Sequence, residues 1–173
     1  MAEKYYGKYK GMVMNNIDPM QQGRLLVQVP AVSGLGPSSW AEACVPLTGK
    51  QMGIFVLPVI GSGVWVEFEA GDIDHPIWSG GYWANVGEVP ALALAGLPVS
   101  PSIVLQTQGQ NTIMLSDVPG AAGGILLKTL TGAFISISDT GIIIQNGKGA
   151  IISMTGPVTD INVGALTLSL IHI

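Results

Sequence analysis

The chain has 173 residues, of which 48% are apolar and 10% are charged, and it contains 24 glycines. Too few charged side chains are present to coat the surface of an ordinary monomer, so we expect much of that surface to be buried against other copies or partners. The net charge of -4 argues against nucleic acid as a partner, because phosphate contacts require clustered lysine and arginine.

Cys44 is the single cysteine, which rules out an intrachain disulfide and favours folding in a reducing cytosol. We interpret it as a small buried apolar side chain rather than as a nucleophile. Residues 1–6 lack the apolar core of a signal peptide. The apolar run 89–105 is interrupted by three prolines and is too short to span a bilayer.

Residues 1–83 are predicted to form the first domain. Residues 8–17 and 24–30 alternate as strands do, and the short turn that Asp18-Pro19 opens between them makes the pair antiparallel. A third strand is expected over 40–47.

The second half of this domain supplies two more predicted strands. Residues 48–63 are glycine-rich and expected to be irregular. Apolar and polar side chains then alternate strictly over 64–69, which predicts a half-buried strand. A turn over 71–76 leads to the fifth strand at 77–83. Five short strands in about 75 residues predict a small closed barrel of the OB type.

Residues 84–101 are predicted to be a connector rich in Ala, Leu, Pro and Gly, with a short helix at 91–95. An inserted enzymatic domain would not fit in that length. Residues 102–173 form the last segment, in which apolar runs of strand length are separated by turn residues and no helix is expected. These runs are 102–107, 111–116, 125–130, 133–138, 142–145 and 150–154.

This last segment has no self-sufficient core. Ordering about 70 residues costs on the order of 100 kcal/mol, which requires roughly 4,000 Å² of buried apolar area. A single ribbon of hairpins cannot bury that area, and its strand edges would stay bare. We therefore expect several copies to wrap into an intertwined β-structure with three-fold symmetry; a two-sheet sandwich within one chain is the alternative.

Four segments of the first domain, in this order, resemble the OB domain of contractile-tail spike proteins. They read GKYKGMV at 7–13, NIDPMQQGRLLVQVP at 16–30, PVIGSGVWVEFE at 58–69 and GDIDHPIWSG at 71–80. That family comprises the baseplate assembly protein V of phages and the related spikes of type VI secretion and extracellular contractile injection systems. The resemblance covers about residues 5–83. The C-terminal half is similar in kind, because such spikes continue into a trimeric β-helix or β-prism needle.

The resemblance implies a homotrimeric structural spike at the tip of a contractile tube, driven through a target envelope when the sheath contracts. The implied partners are a baseplate hub protein at the OB end, a PAAR-type tip protein at the C-terminal end and, transiently, the target membrane, with no nucleic acid. The resemblance also implies that the chain is assembled in the cytoplasm and becomes part of a phage tail or of an extracellular or secreted contractile particle. Some relatives carry a lysozyme domain between the two parts; this chain has none, so neither enzymatic activity nor a cofactor is expected.

The alternative function is an OB-type binding module for oligosaccharide or single-stranded nucleic acid, with the C-terminal half as an oligomerising β-stalk. An acidic chain without an exposed surface of aromatic and basic side chains is poorly suited to that role.

Two clusters in the first domain have residue types that carry chemistry. Asp72, Asp74 and His75 form either a weak cation site or, as we favour, a polar turn in which aspartates cap backbone amides. Glu67 and Glu69 share a strand face, where a solvated surface is favoured over a catalytic carboxylate pair because no nucleophile or base accompanies them.

His172 is the candidate metal ligand of the C-terminal end. Three copies would converge near the axis of a parallel trimer, and some spikes of the resembled family hold a tip metal ion through clustered histidines. This chain departs from their pattern, since it has one histidine there rather than a pair. The sequence therefore leaves three possibilities for the tip: a bare point, a point pinned by a metal ion, and a platform capped by a partner protein.

Overall fold

A computed structural model describes residues 3–96 and 99–169 of the chain. The chain divides into two compact units, Met1–Glu88 and Val89–Ile173. Both units are built from β-strands, which confirms the predicted all-β class. Within the described ranges, no helix is long and apolar enough to cross a membrane.

The described part of the first unit contains seven strands and one short α-helix. In chain order they are β1 (Tyr9–Asn15), β2 (Leu25–Gln28), α1 (Pro30–Ser33), β3 (Pro37–Ala43), β4 (Thr48–Gly49), β5 (Met52–Gly53), β6 (Gly63–Phe68) and β7 (Pro76–Tyr82). Five of the strands close a barrel in the order β1-β2-β3-β7-β6, and β6 pairs back onto β1. The β3–β7 contact is parallel and the other barrel contacts are antiparallel. The predicted OB barrel is thereby confirmed.

Alternation along the strands builds the barrel core. In β6, Val64, Val66 and Phe68 point inward and are at most 7% exposed, while Trp65 and Glu67 point outward. The indole Nε1 of Trp78 donates a buried hydrogen bond of 3.0 Å to the carbonyl of Gly23. The core side chains are Val13, Leu25, Val27, Val29, Ala41, Val64, Val66, Phe68 and Trp78.

The third strand lies earlier than predicted. It was expected over 40–47 but runs from Pro37 to Ala43, because Gln28 of β2 already pairs with Pro37 across an irregularity in the register. The strand stops before Pro46, which lacks the N–H that a ladder needs.

The expected burial of Cys44 is wrong, because its side chain is exposed. Ala41 is buried and Ala43 half-buried, so period-2 alternation turns Glu42 and Cys44 outward. The backbone N–H of Cys44 still donates to the carbonyl of Trp78 at 2.9 Å, which ties the end of β3 to β7.

Over residues 99–169, the second unit forms one eight-stranded sheet in which each strand is antiparallel to the next along the chain. Because the described part of this unit forms one sheet, the alternative of a two-sheet sandwich is wrong. Six strands match the predicted runs. The strands are β8 (Ile103–Gln106), β9 (Thr112–Ser116), β10 (Gly124–Lys128), β11 (Ala133–Ser138), β12 (Gly141–Asn146), β13 (Ile151–Thr155), β14 (Val158–Ile161) and β15 (Leu166–Ser169).

β14 and β15 were not predicted, because Asp160 and Thr167 interrupt their apolar runs. In place of the short helix expected at 91–95, the structure has a 3-10 turn at Ala91–Leu94. A second 3-10 turn lies at Val86–Glu88.

Glycine permits a close approach at the start of β10. Gly124 has φ +81°, and a Cβ there would overlap the carbonyl oxygen of Ile137 on β11. Gly120, in the preceding loop, has nearly the same φ of +83°, but a Cβ there would meet no atom within 4 Å beyond its chain neighbours. The two positions therefore share a backbone requirement but differ in packing.

Candidate functional site

Strand register aligns alternate residues of β8–β15 into two rows on one face of the C-terminal sheet. Cross-strand partners share a face, so each row can be followed from strand to strand. The first row is Ile103, Leu115, Ile125, Ile137, Ile142, Met154, Thr159 and Leu168, and the second is Leu105, Ile113, Leu127, Ile135, Ile144, Ile152, Ile161 and Leu166. Thr159 is the one polar member. This surface is termed the two-row face.

The two-row face is open to solvent in a single chain. Twelve of its fifteen large apolar side chains are exposed, from 37% at Ile152 to 66% at Leu105, and Ile142, Met154 and Ile161 are half-buried. Together they present roughly 1,000 Å² of apolar surface, well above the few hundred Å² that a soluble monomer tolerates. Covering that area would contribute up to ~25 kcal/mol per chain. The face therefore requires a covering partner.

The opposite face of the same sheet has a different character. Ser136, Ser153 and Asp160 lie in one row along it, with Ile143 between the two serines, so this part of the face is largely polar. Near the start of the sheet, Met114 is only 7% exposed. Leu92 of the 3-10 turn lines a cavity of about 280 Å³ there together with Met114. The chain thus covers part of this face itself and leaves the two-row face open.

A buried carboxylate organises the β1–β2 loop of the barrel. Asp18 accepts hydrogen bonds from the backbone N–H groups of Met20 (3.0 Å), Gln22 (2.8 Å) and Arg24 (3.3 Å). The Arg24 guanidinium donates to it at 2.7 Å, and the Asp18 side chain is only 2% exposed. This guanidinium, followed by the backbone donors, holds the pKa of Asp18 well below its usual range. The Asp-Pro-containing segment is therefore a rigid loop.

The cluster of Asp72, Asp74 and His75 lies in the turn between β6 and β7. Oδ1 of Asp72 accepts the backbone N–H of Asp74 at 3.1 Å, and His75 Nδ1 lies 3.7 Å from Asp72 Oδ2. Both side chains of the latter pair are exposed. Among the described residues, no group of three or more acidic, histidine or cysteine side chains is placed to hold a metal ion. The geometry is that of an aspartate-capped turn.

Glu67 and Glu69 are held in different environments. The Glu67 carboxylate lies 3.2 Å from Lys8 Nζ in an ion pair that is about half exposed on both sides. Glu69 begins a 3-10 turn, and its backbone N–H donates to the carbonyl of His75 at 2.9 Å. Glu67 thus acts as a surface ion-pair partner. His172 lies outside the described residues.

A lysine–aromatic cluster lies on the outside of the barrel, contrary to the expectation that the chain has no exposed surface of aromatic and basic side chains. Lys10 Nζ lies 5.0 Å from the ring centre of Tyr82 and 5.9 Å from that of Trp65. The two rings are 5.2 Å apart. Lys10 and Trp65 are register partners across β1 and β6, so only the strand pairing could have revealed the cluster.

Comparisons with protein-family models match both units. A model described as the type VI secretion system/phage-baseplate injector OB domain matches residues 9–83. A second model, the phage baseplate V C-terminal trimerisation domain, matches residues 102–167. A search of curated proteins gave no match. The first range spans the barrel strands, and the second contains nearly all of the two-row face.

Proposed function

Because this chain belongs to the phage baseplate V family of spike proteins, we propose that it is the central spike at the tip of a contractile tail or injection-system tube. The OB unit sits on the baseplate hub, and the C-terminal unit is the needle that is driven through the target envelope on sheath contraction. The observation that best supports this proposal is the two-row face. It supplies each copy with a continuous apolar surface that three copies can bury together.

In the proposed trimer, three two-row faces turn toward a common axis. Eight strands stacked at ~4.8 Å extend over about 35 Å along the rows. The ladder hydrogen bonds then run parallel to the needle axis, and rungs of Ile and Leu fill its centre. An axial load is carried by hydrogen bonds and close-packed side chains, which compress little. This arrangement suits a part that must transmit a sudden push.

The structural role has no place for catalysis, since the family is one of baseplate components and Glu67 is held in an ion pair with Lys8. The alternative, an oligosaccharide-binding or single-strand-binding module, would use exposed rings as stacking platforms. On this barrel, Lys10 already lies over Trp65 and Tyr82. The net charge of -4 also opposes nucleic acid binding.

At the distal end, we extend the proposal to a PAAR-type tip protein as partner or to a metal ion shared by His172 of three chains. Elemental analysis of the purified trimer separates these options. About one iron or zinc ion per three chains, lost in His172→Ala, supports the metal-pinned point. A content well below that ratio removes it.

Sedimentation equilibrium of the purified chain tests the spike proposal. Three chains of 17.9 kDa should give a stable species of about 54 kDa. A monomer in dilute buffer would overturn the proposal. Titration with oligo-dT and with oligosaccharides, followed by tryptophan fluorescence, tests the alternative. Saturable micromolar binding of either ligand would favour the binding module over the spike.

A further inference from the structure

The first unit carries a second apolar surface, at the end of the barrel where the β1–β2 loop meets residues 47–60. Six of its side chains are 59–75% exposed: Ile17, Met20, Met52, Phe55, Val56 and Ile60. Lys50 is the only charged residue between Cys44 and Gly63. This surface is termed the apolar end.

The parts of the apolar end lie side by side. The Asn16 side-chain amide donates to the carbonyl of Pro58 at 2.9 Å, which ties the loop to the segment. A Cβ on Gly23 would lie 3.3 Å from the ring of Phe55. The six exposed side chains present roughly 700 Å², close to the ~800 Å² that each partner contributes to a standard protein interface.

Residues 54–57 have the features of an unpaired strand edge. The Ile54 N–H donates to the carbonyl of Leu47, and the Ser62 N–H donates to that of Val59, both at 3.0 Å. Between these anchors, the backbone N–H groups of residues 55–57 have no hydrogen-bond partner within the described parts of the chain. A surface segment with free backbone donors can pair with the edge strand of another protein.

We propose that the apolar end is the surface through which the spike docks on another baseplate protein, with residues 54–57 adding a strand to a sheet edge of that partner. The inference rests on the proposed function, which places a hub protein at this unit. The partner surface must be apolar and poor in charge, and it must offer an open strand edge. Three copies of the apolar end in one trimer add avidity, since the second and third contacts become intramolecular.

A second copy of the apolar end is a poorer occupant. Contact between two identical patches is isologous and closes as a two-fold pair. A three-fold trimer would leave the apolar end of its third copy uncovered. A three-fold partner protein covers all three ends in the same way.

Hydrogen exchange of the wild-type trimer, alone and with the hub protein of the same particle, tests the inference. We expect the amides of residues 55–57 to exchange rapidly in the free trimer. In the complex, the amides that face the partner edge, either 55 and 57 or 56 alone, should become at least ~100-fold protected, because successive amides of a strand point to opposite edges. If the hub binds and these amides stay unprotected, the docking surface is wrong while the spike function stands. Protection already present in the free trimer would assign the surface to a neighbouring copy and overturn the inference.

A matched pair of variants adds a second readout. The double substitution Phe55→Asp and Val56→Asp should weaken hub binding by at least ~30-fold while the trimer persists. Leu35→Asp is the control, because Leu35 is 88% exposed but lies in the loop before β3. If the double variant and Leu35→Asp bind the hub protein with equal affinity, the proposal is refuted. A wild-type trimer that does not bind the hub would overturn the proposed function together with this inference.

Discussion

Replacing Ile144 by aspartate places a charge in the middle of the two-row face. Ile144 is 39% exposed in one chain and pairs with Ile135 on one side and Ile152 on the other. In the proposed trimer, all three copies meet at one level of the axis. Losing a buried isoleucine costs about 2–5 kcal/mol per chain, so three copies cost at least ~6 kcal/mol. At tenfold per 1.4 kcal/mol, the trimer weakens by a factor of ~10⁴ or more.

Ile143→Asp is the matched control. Ile143 is the preceding residue of the same strand, so the residue type and the loss of strand propensity are the same. Its side chain points to the opposite face of the sheet. We therefore expect Ile143→Asp to leave the trimer assembled at concentrations where Ile144→Asp has dissociated.

Sedimentation velocity at low micromolar concentration, repeated over a range of pH, is the assay. Three aspartates at one level repel each other and raise their pKa values, so the Ile144→Asp trimer should recover as the pH falls toward ~4–5. Such recovery would not follow from simple misfolding. Equal trimer stability of the Ile143 and Ile144 variants would refute the assignment of the two-row face to the trimer interior.

The remaining predictions concern single residues and are checked by thermal unfolding. Because folding lowers the pKa of Asp18, its carboxylate stabilises the barrel above the unfolded-state pKa of about 4, and this stability is lost as the pH falls toward the lower folded-state pKa. Asp18→Asn should flatten this dependence of stability on pH. An acid-unfolding profile that is the same in the variant would contradict the role of the carboxylate. Gly124→Ala should destabilise the C-terminal sheet far more than Gly120→Ala, which carries only the ~1 kcal/mol cost of a positive φ. Equal losses of stability in the two variants would show that the close approach of Gly124 to the carbonyl of Ile137 does not matter. Leu25→Ala should cost about 2–5 kcal/mol, because Leu25 is fully buried, whereas Leu35→Ala should change little.

Local alternation determined much of the fold. The strict pattern over 64–69 predicted the inward face of β6, and turn residues separated six of the eight strands of the C-terminal sheet. Both the period-2 alternation of a strand and the geometry of a turn are set by residues that lie only a few positions apart in the sequence. The composition and the four segments resembling spike proteins likewise pointed to the family that the comparisons support.

Pairing between distant residues decided the rest. The outward turn of Cys44 depends on register, because Leu25 of β2 pairs with Ala41 and Trp78 of β7 pairs with Ala43. In the apolar end, a hydrogen bond from Asn16 to the carbonyl of Pro58 joins two segments that lie 42 residues apart in the sequence.

The two-row face is the clearest case of this division. Each strand by itself shows only that every second residue is apolar, and it does not show which neighbours those residues will meet. Register, which is set jointly by the turns and by both partner strands, aligns Ile135, Ile144 and Ile152 into a continuous row. The sequence alone determined that an apolar face would form and would need covering, and the tertiary structure decided which side chains compose it.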